Sequence, residues 1–163
     1  MIDESLLEEE IGKLGRIVRV AIDASSIIYL SKSNALNVLA ESVQLTTVQQ
    51  VVMEAGLSSL PVDVAEIQDD VASSSDADTA ILRCAEEKKI PVLSEDRKLL
   101  LRAENRGIPY YNSLMMIALL VLRGSIANDE IALLRDRLVE VAHYSRRILE
   151  YGDSLISHIL MKR

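Results

Sequence analysis

Five carboxylates raise the functional question. Asp23 stands directly behind the apolar run in "RIVRVAIDASSIIYL", and Glu54 closes the apolar part of "VQQVVMEAG". Asp76 and Asp78 lie in "SSSDADTAILRCA", and Asp96 follows the short apolar "IPVLS". Each alone has an ordinary explanation, since Asp is favoured as a helix cap or first-turn residue and a helical Glu can simply face solvent. Gathered in one place they would not be ordinary, because clustered carboxylates repel and raise one another's pKa unless a cation compensates. A site with four acids therefore implies a bound divalent metal. His143 and His158 both fall in the C-terminal tail, away from every acid along the chain, and read as surface or packing side chains. The single cysteine, Cys84, sits in an apolar stretch and reads as buried. With no imidazole or thiolate to hand, hard oxygen donors point to Mg²⁺ or Mn²⁺.

The acids can meet only if the intervening elements bring them together. Residues 16–22, rich in Val and Ile, predict a strand, and 26–40 a helix. Next come a brief extended piece, Thr46 or Thr47 as an N-cap, and a helix closed by Gly56. "LPVDVAEIQ" reads as an edge strand, which Pro61 can begin. A helix over 77–89 has hydroxyls and acids at its start and lysines at its end, matching the helix dipole. "IPVLS" is a second buried strand, "EDRKLLLRAENRG" a helix ending at Gly107, and "IPYYN" a further strand. Strands alternating with helices predict an α/β three-layer sandwich around a central parallel sheet. Outside it lie an acidic amphipathic helix over 3–13, read as an appendage, and helices after "SLMMIALLVLRG". The latter carry an apolar stripe at Ile131, Leu134, Leu138 and Val141, then a tail helix over 145–161 interrupted near Gly152. The chain thus divides into an extension (1–15), a core domain (16–124) and a C-terminal helical addition packed on it (125–163).

Ligands in an open parallel sheet bind beyond the carboxyl ends of the strands. Asp23 and Asp96 follow strands directly, and the helix opened by Asp76 and Asp78 should start at the same rim. Glu54 joins them only if its helix leans over the site. If the third helix begins at Ala77, Asp76 is its N-cap and points away, while Asp78 aims at the rim.

Composition narrows the partners. The 163 residues are 49% hydrophobic, one domain's worth, with a formal charge of -7 that argues against a coat for nonspecific nucleic-acid binding. No Lys or Arg occurs between Lys32 and Arg83, a stretch with eight acids, whereas residues 83–106 hold seven bases against five acids. Folding these segments together would set an acidic centre beside a basic shoulder. Five Tyr and no Phe or Trp make base-stacking platforms unexpected. The apolar run Leu114–Leu122 falls short of the ~20 residues that span a membrane, and the N-terminus is acidic where a signal peptide is basic. The expected location is the reducing cytoplasm, with no membrane contact.

In order and type, the motifs "VAIDASSIIYL", "VQQVVMEAG", "SDADTAILRCA" and "VLSEDRKL" resemble those of the PIN-domain nucleases over residues 16–112. The resemblance implies an acidic quartet at Asp23, Glu54, Asp78 and Asp96. Ser94 matches the Thr or Ser that orders the loop of the fourth acid. It also implies metal-assisted hydrolysis of RNA phosphodiesters to 5′-phosphate and 3′-hydroxyl ends, with single-stranded RNA as substrate. Many relatives are toxins paired with antitoxins, so an antitoxin is a possible partner. Ser25 or Ser26 would either steady a water or phosphate or cap the following helix, the cap being favoured. Arg97 and Lys98 are candidates for holding the RNA backbone. "SLMMIALLVL" and the later stripe offer apolar surface that predicts a homodimer. The alternative reading is an inactive PIN-like module that binds RNA or protein. "DADT" also resembles the nucleophile loop of haloacid-dehalogenase-like phosphatases, but Thr79 directly follows Asp78 and no strong strand precedes it, which excludes that reading.

Overall fold

The structure is a computed structural model that describes residues 2–66 and 76–163. Helix α1 (Glu4–Gly15) leads into β1 (Arg19–Ile22), α2 (Ala24–Lys32), α3 (Leu36–Ser42), β2 (Gln44–Thr47), α4 (Gln49–Ala55) and β3 (Asp63–Val64). Beyond the segment 67–75 come α5 (Ala77–Lys88), β4 (Val92–Leu93), α6 (Arg97–Asn105) and β5 (Tyr110–Tyr111). The chain ends in α7 (Ser113–Leu122), α8 (Asn128–Ala142) and α9 (Arg146–Met161).

The five strands form one parallel sheet in the order β3-β2-β1-β4-β5. Side chains along a strand alternate between the two faces. Val20, Ala21 and Ile22 are nevertheless all fully buried, as are Thr46 and Thr47. Both faces are therefore covered, as a parallel sheet demands, and the arrangement is compatible with a three-layer sandwich. β3 lies at the edge, as its Pro-led sequence predicts; the end of that segment, residues 67 and 68, falls outside the described residues.

Several local expectations are corrected. The helix expected over 26–40 is two helices, broken where Asn34 takes a left-handed backbone (φ 63°) that Asn tolerates better than most residues. Thr46 and Thr47 cap nothing: both lie in β2, and the buried Thr47 hydroxyl donates to the Ile22 carbonyl at 2.8 Å. The first strand starts only at Arg19, because α1 runs on through Gly15. That helix is no appendage, since Leu7 and Leu14 are buried in the same apolar cluster as β1 and α7. The reason offered for a homodimer also disappears. Every residue of α7 from Ser113 to Val121 is buried within the chain, covered by α8 and α9.

Gly152 does not interrupt α9, which is continuous from Arg146 to Met161. The glycine is there for packing: a Cβ at 152 would lie 2.3 Å from Leu114 Cδ2 and 2.6 Å from its Cγ. Ala would improve helix propensity by about 1 kcal/mol, but Leu114 is fully buried and has no open space to rotate into. Gly152→Ala should therefore destabilise the protein by about 1–3 kcal/mol in chemical denaturation. Combined with Leu114→Ala, it should cost clearly less than the sum of the two single changes.

Candidate functional site

β1 is the centre of the sheet and its switch point. The chain steps outward from β1 to β2 and β3, then returns to lay β4 on the other flank of β1. Loops leaving the carboxyl ends of β1 and β4 thus diverge around a crevice, where open α/β sheets bind ligands. Asp23 is the first residue after β1, and its amide still donates to the Leu93 carbonyl of β4 at 2.9 Å. Ser94, Glu95 and Asp96 are the first three residues after β4.

Hydroxyls hold this crevice together. The buried Ser94 hydroxyl donates to Asp23 Oδ2 at 2.8 Å and accepts the Asp96 amide at 3.0 Å. The Ser25 hydroxyl lies 3.3 Å from the same Asp23 oxygen and accepts the Glu95 amide at 3.0 Å. Ser94 therefore orders the loop of the fourth acid by direct bonds. The favoured cap reading of Ser25 or Ser26 is corrected: Asp23 occupies the N-cap position of α2, without a side-chain cap bond, and both serines turn toward the 94–96 loop.

The other acids divide by role. Asp96 caps α6, with Oδ1 accepting from Lys98 N at 2.9 Å and Leu99 N at 3.3 Å. Asp76 caps α5, accepting from Thr79 N at 2.8 Å, and that bond holds its pKa below the ordinary value. Asp78, half-buried in the first turn of α5, accepts no hydrogen bond among the described residues. Glu54 is exposed near the end of α4, a helix that packs on α2 and α5. Loss of solvation is the largest cause raising the pKa of Asp23, Glu54 and Asp78. The charge of Asp96 adds to all three, and that of Asp23 adds to Glu54 and Asp78.

Hard carboxylate oxygens that lose solvation and face one another's negative charge, as those of Asp23, Glu54 and Asp78 do, fit a divalent cation such as Mg²⁺ or Mn²⁺. They are not closed on a single point. Among the described residues, the trio of metal-type ligand atoms lying within 4.8 Å of one another is Glu4, Glu8 and His158, on α1 and α9. There the Lys162 ammonium already bonds Glu8, so the charge is met from within the chain. His158 is thus not remote from every acid, its Nε2 standing 3.7 Å from Glu8 Oε1, and it is buried. The wider spacing of the quartet suits Mg²⁺, which keeps several waters and takes few direct carboxylates.

The basic shoulder is split. Arg97 and Lys98 are exposed in the first turn of α6 beside Asp96. Arg102, which the sequence reading missed, donates to the Thr79 hydroxyl at 3.3 Å and partly offsets the negative surroundings of Asp78. Lys89 goes to the opposite end of the sheet, where a cavity of about 860 Å³ is lined by Lys13, Arg16, Arg19, Lys89, Tyr110 and Tyr151. That cavity contains none of the quartet. Glu95, with partners Ser26, Ser113 and Tyr144, was missed too. It reads in sequence as one more solvated acid next to Asp96, and its partners lie up to 69 residues away.

No family model, no curated protein and no solved structure matches this chain.

The charges dictate a pH dependence. Asp23, Glu54 and Asp78 bind protons more tightly folded than unfolded, so their contribution to stability is greatest below the unfolded pKa, about 4, and is lost as pH rises through the raised folded value. In chelator, Asp78→Asn should melt at or above the wild-type temperature at pH 7, and the advantage should vanish near pH 4. At the neighbouring cap, Asp76→Asn should be neutral and Asp76→Ala should cost about 1 kcal/mol. Melts at the two pH values check both expectations.

Proposed function

We propose that this chain is an Mg²⁺- or Mn²⁺-dependent endoribonuclease acting on single-stranded RNA at the rim formed by Asp23, Glu54, Asp78 and Asp96. The observation that carries the reading is the convergence of acids at the switch point of the sheet: Asp23 and Asp96 follow the paired strands β1 and β4 and are linked through the Ser94 hydroxyl, and lost solvation together with neighbouring negative charge raises the pKa of Asp23, Glu54 and Asp78. A binding surface has no use for such repulsion, whereas a cation site requires it. The PIN-like order of the four motifs supports the same reading.

Bound there, the metal supplies a water of lowered pKa and a Lewis acid for the phosphodiester. The chain supplies the positions. Asp23 is fixed by the hydroxyls of Ser94 and Ser25, leaving its charge intact because both donors are neutral. Asp96 uses Oδ1 for its cap, and Oδ2 accepts no hydrogen bond among the described residues. Glu54 and Asp78 approach from α4 and α5 to complete the set. Arg97 and Lys98 stand where a phosphate flanking the cut would lie, beside the positive end of the α6 dipole. Hydrolysis consumes one water, breaks the P–O3′ bond and leaves a 5′-phosphate and a 3′-hydroxyl.

Asp96→Asn gives a clean test because Asn keeps the capping oxygen and removes the charge. Incubated with a short labelled single-stranded RNA in Mn²⁺, the wild type should cut. Asp96→Asn should lose more than the about 10–100-fold that deleting an outer hydrogen-bond partner of a metal ligand costs. Millimolar Mn²⁺ should raise the melting temperature of the wild type over that in chelator, and much less in Asp23→Asn. Cleavage that persists in chelator, or equal melting points with and without metal, would overturn the proposal.

A further inference from the structure

We propose that Glu95 is a positioning residue through which the C-terminal helices set the metal affinity of the acidic rim. The inference rests on the metal-dependent reading above.

Ser94, Glu95 and Asp96 point three ways from one short loop. Ser94 turns into the crevice to bond Asp23, and Asp96 caps α6. The side chain of Glu95 goes between the helices. Its Oε1 accepts the Ser113 amide at 2.6 Å and the Tyr144 hydroxyl at 2.5 Å. Its Oε2 accepts the Ser113 hydroxyl at 3.0 Å and the Ser26 hydroxyl. Four donors meet the four lone-pair sites of one carboxylate, so the group is saturated. The donors come from three places: α2, the first turn of α7, and the turn between α8 and α9 that follows His143 in a left-handed backbone (φ 52°).

Adjacent residues thus share the work in pairs. Ser25 bonds Asp23 and the Glu95 amide, while its neighbour Ser26 bonds the Glu95 carboxylate. Ser94 bonds Asp23 and the Asp96 amide. Asp23 and Asp96 repel, and the loop between Ser94 and Asp96 is what could yield to that repulsion. Glu95 anchors the loop at its middle, to α2, α7 and the α8–α9 turn. Tyr144 contributes the donor that belongs to neither the sheet nor the helices next to it, so docking of the α8–α9 turn helps decide how far apart the two acids stand. Partners behind metal ligands act in this way on affinity.

The test measures Mn²⁺ binding to the full chain by titration calorimetry, with melts in chelator as a separate readout. Tyr144→Phe keeps the ring and removes one donor; Glu95→Gln keeps the shape but sets an amide group among donors. Both should weaken Mn²⁺ binding about 10-fold or more, and RNA cleavage should fall at limiting Mn²⁺ and recover at saturating Mn²⁺. Leu39→Val, buried in α3 away from the loop, should lower the melting temperature without changing Mn²⁺ affinity, which separates positioning from stability. Mn²⁺ affinities of Tyr144→Phe and Glu95→Gln within about twofold of wild type would overturn the inference and leave the nuclease reading standing. A wild type that binds no Mn²⁺ would overturn both.

Discussion

The pairing of β1 with β4 is the constraint on which the rest of the molecule depends. Ile22 and Leu93 lie side by side in the sheet, and the residues after them, 71 positions apart in sequence, become hydrogen-bond partners through Ser94 and Asp23. Only the switch in strand order permits this. Had β4 been added outside β3, the two loops would open at distant points of the rim, and α5 and α6 would start far from Asp23. The crossover instead brings three helix starts, those of α2, α5 and α6, toward one crevice. Each start carries an Asp at its N-cap position.

What the three caps do differs, and the difference separates structure from site. Asp76 and Asp96 spend an oxygen on helix amides, as capping residues do. Asp23 makes no capping bond of that kind; its partners are two serine hydroxyls and the adjoining Ala24 amide. A hydroxyl orients a carboxylate without cancelling its charge, whereas an arginine would do both. The chain does use arginine when charge is to be neutralised: Arg135 holds Asp153 through both oxygens at 3.0 and 2.7 Å on the far helices. At the crevice it keeps the charge, and the apolar core supplies the stability that the repulsion removes. The fully buried strand residues Val20, Ala21 and Ile22, together with almost all of α7, lie at the centre of that core.

Much of this was legible in the sequence because it is local. The parallel sheet follows from alternating short apolar runs and helical segments, and the Asp76 cap from an Asp placed just before Ala77. Ser94 came only through the resemblance of "SED" to the motif of the PIN-domain nucleases. What could not be read depends on contacts between distant segments. Asn34 breaks a helix whose apolar pattern continues across it, so periodicity alone joins α2 and α3. Thr46 and Thr47 have the residue type of a cap but the burial of a strand. Gly152 has the look of a helix breaker, and its reason for being there is a leucine 38 positions earlier. Glu95 is the extreme case: nothing within ten residues of it hints that its carboxylate is withdrawn from solvent, because the donors at Ser113 and Tyr144 meet it only once α7 and the α8–α9 turn are in place.

That dependence changes the standing of the C-terminal helices. α7 presents its first backbone amide to Glu95 and can be almost wholly apolar because α8 and α9 cover it together with α1, α2 and α3. α9 approaches closely enough because residue 152 has no side chain. Shielded by these helices, the Glu95 carboxylate is pushed toward protonation by lost solvation and drawn back by its four donors, while the Tyr144 phenol is pushed firmly toward keeping its proton. Against that push, the four donors around Glu95 and the retained phenol proton describe one arrangement, a carboxylate that accepts and a phenol that donates. A hydrogen bond of that kind, between an ionised acceptor and a neutral donor in a shielded place, is stronger than one between neutral groups and tolerates little displacement. The helices that the sequence sets apart after residue 124 are therefore part of the same mechanical unit as the loop that carries Asp96.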